Sequence, residues 1–159
     1  MRIGPHNDPQ LGLWMWLSRT RDAIFKARMR ELRKYGISAR QASVLFVLKA
    51  LGEKANPTEV ARWLLREPHS VSEFMKRMEK DGLVKRKNDV TRRNVIRIKL
   101  TAKGEKAFQR VTKLDSIHGI TSVLSGDETE ELRKLLEKLW YRALRNLRIE
   151  RHAPFPTME

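Results

Sequence analysis

The chain has 159 residues, with 34 Lys and Arg against 19 Asp and Glu, so its formal charge of +15 points to a polyanionic partner: DNA, RNA or an anionic membrane surface. An apolar share of 40% over this length suits one domain, 1–159, with a packed core. No apolar run approaches the roughly 20 residues that span a bilayer, the start Met1-Arg2-Ile3-Gly4-Pro5-His6 lacks the apolar block of a signal peptide, and cysteine is absent. The expectation is therefore a cytoplasmic protein without a membrane partner, without disulfides or thiolate metal sites, and without thiol-based peroxide sensing.

The first helix is expected over 11–35, where Trp14, Leu17, Ile24, Phe25, Leu32 and Tyr35 form an apolar stripe among basic residues and Gly36 ends it. Ser38 with Gln41 three residues on predicts a capping box for a second helix. Its face of Ala42, Val44, Leu45, Leu48 and Leu51 is the buried support of the fold, and Gly52 closes it. Asn56 with Glu59, and Pro57 at the first helical position, open a short third helix over 58–65. Arg66-Glu67-Pro68-His69 breaks the pattern, and the pair Ser70…Glu73 predicts that a new helix begins at Ser70. In that helix Val71, Phe74, Met75 and Met78 share one face toward the core, while Ser72, Glu73, Lys76, Arg77 and Lys80 take the other.

Asp81-Gly82 stops this helix. The alternation Ile96, Ile98, Leu100 against Val95, Arg97, Lys99 predicts a half-buried strand over 95–100, paired with an extended segment over 83–87. The intervening Asn88-Asp89-Val90-Thr91-Arg92-Arg93-Asn94 is a polar loop with a basic tip, so the pair forms a hairpin. Thr101 caps a further helix through Ala107, Phe108 and Val111. A last helix, 126–148, is announced by Ser125…Glu128. Its stripe of Leu132, Leu136, Leu139, Ala143 and Leu147, widened by Leu135, Trp140 and Leu144, requires partners on more than one side. The tail from Arg151, with Pro154 and Pro156, is expected to order only by packing on a neighbour.

Two consecutive helices followed by a basic hairpin are the element order of a winged helix-turn-helix, a mainly α fold with a small β wing. One helix fits the major groove of B-DNA, its N-terminal residues and outer face meeting base edges while cations neutralise phosphates. Ser70, Ser72, Glu73, Lys76 and Arg77 occupy those positions, and Arg92 and Arg93 at the hairpin tip are placed to reach an adjacent minor groove. The partner expected is double-stranded DNA. A nonspecific architectural protein, held by charge and DNA shape alone, is the alternative within nucleic-acid biology.

Three segments carry a resemblance to a known family: Ser70-Val71-Ser72…Met78-Glu79-Lys80-Asp81-Gly82-Leu83-Val84, then Ile98-Lys99-Leu100-Thr101-Ala102-Lys103-Gly104, then Leu124-Ser125-Gly126-Asp127-Glu128. In order and spacing they resemble the MarR (multiple-antibiotic-resistance regulator) family of transcription regulators, over roughly 11–147. The resemblance implies a homodimer with interleaved terminal helices (11–35 and 101–150), a winged-helix part (37–100), and two recognition helices in successive major grooves of a pseudo-palindrome. It also implies a repressor, and a possible small-molecule effector between the two parts. Two positions depart from the family pattern: Glu73 stands where arginine is frequent, and Asp89 lies further from Arg92 and Arg93 than the wing Asp usually does.

Other features read as structural. Trp14, Trp16, Trp63 and Trp140 suit core or interface. His6, His69, His118 and His152 show no metal-ligand spacing, although His69, just before the recognition helix, is positioned for a phosphate. Arg142, Arg145 and Arg148 suit a solvated face. No phosphate-cradling Gly loop, His-Glu-x-x-His or Gly-x-Ser-x-Gly elbow is present, so neither enzyme activity nor a cofactor is expected.

Overall fold

The computed structural model describes residues 8–89, 95–150 and 152–156. Helix α1, Pro9–Arg33, begins where the Asp8 carboxylate accepts the Gln10 and Leu11 amides at 2.8 and 3.3 Å, with Pro9 at the first position. Helix α2, Ala39–Leu51, forms the expected reciprocal box of Ser38 and Gln41 and runs into a 3-10 turn, Gly52–Lys54. Helix α3, Pro57–Trp63, is capped by Asn56, which accepts the Glu59 amide at 3.0 Å.

Helix α4, Pro68–Lys80, corrects the expected start at Ser70. Proline needs no donor partner at the first helical position and its φ is already helical, so the helix opens two residues earlier. Ser70 then lies inside the first turn and makes no capping box; Glu67, at the cap, offers no side-chain bond. Strands β1, Val84–Asn88, and β2, Ile96–Leu100, pair antiparallel in register from Val84↔Leu100 to Asn88↔Ile96. Helix α5, Ala102–Val111, is capped by Thr101, whose hydroxyl accepts the Gly104 amide at 3.0 Å. Helix α7, Gly126–Asn146, carries the second complete capping box, Ser125 with Glu128.

Helix α6, Asp115–Thr121, has no counterpart in the sequence reading. Its cap position is Leu114, held at φ 55 with no side chain able to accept a bond. The N-terminal amides are met instead by Glu31 from α1, which accepts from Asp115 N and Ser116 N at 3.1 Å each.

The core lies between α2, α3, α4 and the hairpin, closed by the end of α1 and by α5. Leu32, Val44, Leu45, Val60, Val71, Met75, Met78, Val84 and Ile98 are essentially inaccessible to solvent there. Ile98 N donates to Ala55 O at 3.0 Å, which fixes the hairpin against the turn before α3. Burial is very different in α7, where Leu132, Leu135, Leu136 and Leu139 are half exposed and Leu144 alone is buried. Residues 152–156 fold back on the chain's own helices. Trp140 Nε1 donates to His152 O at 2.8 Å, the His152 ring meets Trp63 and Trp140 edge-on, and Phe155 is edge-on to Phe46.

Candidate nucleic-acid interface

The faces of α4 follow from where its apolar residues point. Val71, Met75 and Met78 are buried, so at 3.6 residues per turn the opposite arc carries His69, Ser70, Glu73, Lys76, Arg77 and Lys80, all exposed. Ser72 sits on the flank of that arc and is half-buried. Of the sequence-predicted residues on this helix, Ser70, Glu73, Lys76 and Arg77 therefore share the outward surface and Ser72 borders it. His69 and Lys80 belong to the same surface.

The charges on this arc are already organised. Lys76 Nζ lies 2.6 Å from Glu73 Oε1, and this bond, with the lysine charge, holds the Glu73 carboxyl below its ordinary range. Glu73 is thus an acceptor aimed outward at the centre of the arc. Arg77 stacks its guanidinium over Phe74, 5.5 Å from the ring centroid.

Arg40 is a neighbour that the sequence reading missed. It lies in the first turn of α2, remote from α4 along the chain, yet its Nη2 donates to Ser70 O and Ser70 Oγ at 3.0 Å and its guanidinium sits 4.3 Å from the Phe74 centroid. Arg40 therefore adds an exposed cation beside the first turn of α4 and engages the Ser70 hydroxyl. Behind it, Arg21, Phe25, Arg40, Arg66 and Phe74 line a cavity of about 410 Å³.

Two carboxylates tie down the wing, one from α4 and one from the hairpin itself. Glu79 of α4 accepts from Arg86 N at 3.0 Å and from Arg86 Nε at 2.5 Å, so β1 is pinned to the candidate recognition helix. The same two bonds hold the Glu79 carboxyl below its ordinary range. Asp89 lies 2.6 Å from Arg97 Nε, and Arg97 Nη1 donates to Lys54 O at 3.1 Å. Asp89 N donates to Val95 O at 2.7 Å, extending the ladder toward the tip. Lys85 and Lys87 project from β1 into solvent. Arg92 and Arg93, expected at the tip, lie outside the described residues.

Among the described residues, no group of His, Asp or Glu is arranged to hold a metal ion, and no helix is long and apolar enough to cross a membrane.

A winged helix DNA-binding domain model matches residues 37–104, the span from α2 to the start of α5. The organohalide-sensing transcriptional regulator RdhR-CbdbA1625, in its ligand-free form, is 31% identical, with a TM-score of 0.76 over 86% of this chain and 82% of that chain. The chain belongs to the MarR family. Two MarR-family structures at lower identity share the fold. AbsC from Streptomyces coelicolor is 19% identical, with a TM-score of 0.76 over 87% of this chain and 96% of that one. A mutant MarR from E. coli, complexed with operator DNA, is 20% identical, with a TM-score of 0.76 over 87% of this chain and 99% of that one. No curated protein sequence matches the chain. The matched span 37–104 contains both α4 and the β1–β2 hairpin.

Proposed function

We propose that this MarR-family chain is a homodimeric, sequence-specific regulator that acts in the cytoplasm by binding double-stranded DNA, and not by catalysis. Each protomer lays the outward arc of α4 in a major groove, and the dimer spans a pseudo-palindromic operator as a repressor. The observation that carries this reading is the division of α4: one face is wholly core, while the other presents Ser70, Glu73, Lys76, Arg77 and Lys80 beside a hairpin fixed to it through Glu79 and Arg86. Base readout falls to Ser72 and Glu73, phosphate contact to Lys76 and Arg77, and the minor groove to Arg92 or Arg93.

The winged-helix part covers 37–100, and the helices in 11–35 and 101–150 dimerise. Exposure supports this division. Trp14 and Trp16 are 65% and 76% exposed, and residues two apart on a helix point to nearly opposite sides. A second copy that covers the Leu132, Leu136 and Leu139 stripe while α1 inserts between the two α7 helices buries both tryptophans. A small-molecule effector fits the same reading. A relative is known in a form bound to 2,4-dichlorophenol, and the 410 Å³ cavity behind the first turn of α4 adjoins the arginine that contacts it.

The experiment is selection of binding sites from genomic fragments by the purified protein, followed by salt titration on selected and scrambled duplexes. A regulator keeps a preference of several kcal/mol when salt suppresses nonspecific binding. Equal loss on both duplexes is the outcome for an architectural protein and refutes the proposal.

A further inference from the structure

Glu31 is the one charged or polar residue that is fully buried among the described residues, 6% exposed at the end of α1. Removing a carboxylate from water is costly unless it is thoroughly bonded, and here the partners come from the start of α6 and from Arg28 on α1 itself. Asp115 N and Ser116 N donate to its two oxygens at 3.1 Å each, and the Ser116 hydroxyl donates as well. Arg28, one turn earlier on α1, places Nη1 2.8 Å from Glu31 Oε1 and turns Nη2 to the carbonyl of Val111, the last residue of α5. The end of the winged helix, the start of α6 and the trailing end of α1 therefore meet at one polar joint.

That joint sits where the chain changes direction. Leu114 takes a left-handed conformation between α5 and α6 and supplies no cap, so α6 depends on Glu31 for its first amides. Within a protomer α6 packs on α1, and α7 lies against no other element to a comparable extent. The direction in which the α6–α7 arm leaves the winged helix is thus set at its near end by this joint, with a second tie further along α7, where His152 bridges Trp140 and Trp63. In a dimer held through α1 and α7, that direction fixes how far each recognition helix stands from its twin.

We infer that Glu31, with Arg28 and Ser116, is a positioning joint that sets the separation of the two α4 helices and hence the half-site spacing the dimer accepts. This rests on the dimeric reading above.

The test uses the full chain and three duplexes built from a selected site: a single half-site, the paired half-sites at the preferred spacing, and the pair displaced by a few base pairs. Glu31→Gln keeps the shape of the side chain but turns an NH2 donor toward the Asp115 and Ser116 donors. Ser116→Ala removes one donor and leaves the charge in place. Glu31→Gln should remain dimeric by light scattering and bind the single half-site as the parent does. Its preference for the optimal over the displaced pair should fall by about fivefold, and Ser116→Ala should shift it the same way by less. Unchanged spacing preference in both variants overturns the inference. So does an equal loss of affinity on all three duplexes, which is what a merely structural role produces. If Glu31→Gln does not fold, Ser116→Ala decides. If the parent chain itself shows no spacing preference, the dimeric-operator reading fails in its own arm and the inference falls with it.

Discussion

Replacing Gly104 by alanine should destabilise the protein although the position is helical. Gly104 is the third residue of α5, and in an open helix the change gains up to about 1 kcal/mol. Here a Cβ would stand 2.0 Å from Leu83 O, 3.1 Å from Leu83 C and 3.4 Å from Leu100 Cβ. The nearest atoms are backbone, so they cannot rotate away, and well over an ångström of movement is needed. The same Leu83 carbonyl accepts the Thr101 amide at 3.1 Å, and Leu83 N donates to Met78 O at 2.9 Å, so the displacement passes into the root of the wing and the end of α4. Overpacking costs roughly 1–3 kcal/mol and a strained hydrogen bond about 1 kcal/mol. Against the helix-propensity gain, the net loss is about 2 kcal/mol. For a chain of this length that lowers Tm by roughly 4–8 °C. Thermal unfolding at fixed protein concentration reads it. Gly119→Ala in α6 is the control, since nothing lies within 4 Å of its Cβ, and it should melt at or above the parent temperature. A Gly104→Ala protein as stable as the parent refutes the close approach of α5 to Leu83.

Arg77→Ala and Lys76→Ala should each weaken binding on all duplexes and lower the salt slope by about one, measured by anisotropy across a salt series. Substitutions at Ser72 or Glu73 should instead change which base pairs are selected, and unaltered selection in both would count against their assignment. Burial pulls the Glu31 pKa upward, but the Ser116 and Arg28 bonds outweigh it and lower the value from 4.5 to about 2. Because the folded value is depressed, its stabilisation is fully present above about pH 4.5 and is lost as pH falls toward about 2. At neutral pH it is on the order of 3 kcal/mol. Urea titrations across that window should show a pH slope that is shallower in Glu31→Gln than in the parent chain, the remainder coming from other depressed carboxyls such as Glu73 and Glu79. Leu136→Glu or Leu139→Glu, placed in the exposed stripe of α7, should yield monomers in light scattering; a dimer of unchanged stability would place the interface elsewhere.

What could be read from sequence was whatever has a local cause. The capping boxes at Ser38 and Ser125, the Thr101 cap, the alternating strand and the apolar face of α4 each depend on residues within a turn of one another. The start of α4 misled because two local signals compete there, and proline at the first helical position outweighs serine two residues later. Helix α6 was silent because its cap, Glu31, is 84 residues upstream of Asp115. Arg40 was overlooked for a related reason: it resembles a solvated residue of α2, and only folding brings it onto Ser70, 30 residues away. The pairing of Asp89 with Arg97 likewise needs the hairpin register before it can be seen.

The central claim is that the outer face of α4 enters a major groove, and the absence of cysteine from the chain allows a direct measurement. A His69→Cys variant carrying a tethered iron chelate places a DNA-cleaving centre on the exposed first turn of that helix. On a selected duplex two clusters of strand breaks are expected about one helical turn, roughly 10 bp, apart, each with the strand offset of a source in the major groove. Breaks with a minor-groove offset, or a bound duplex left uncut, would contradict it.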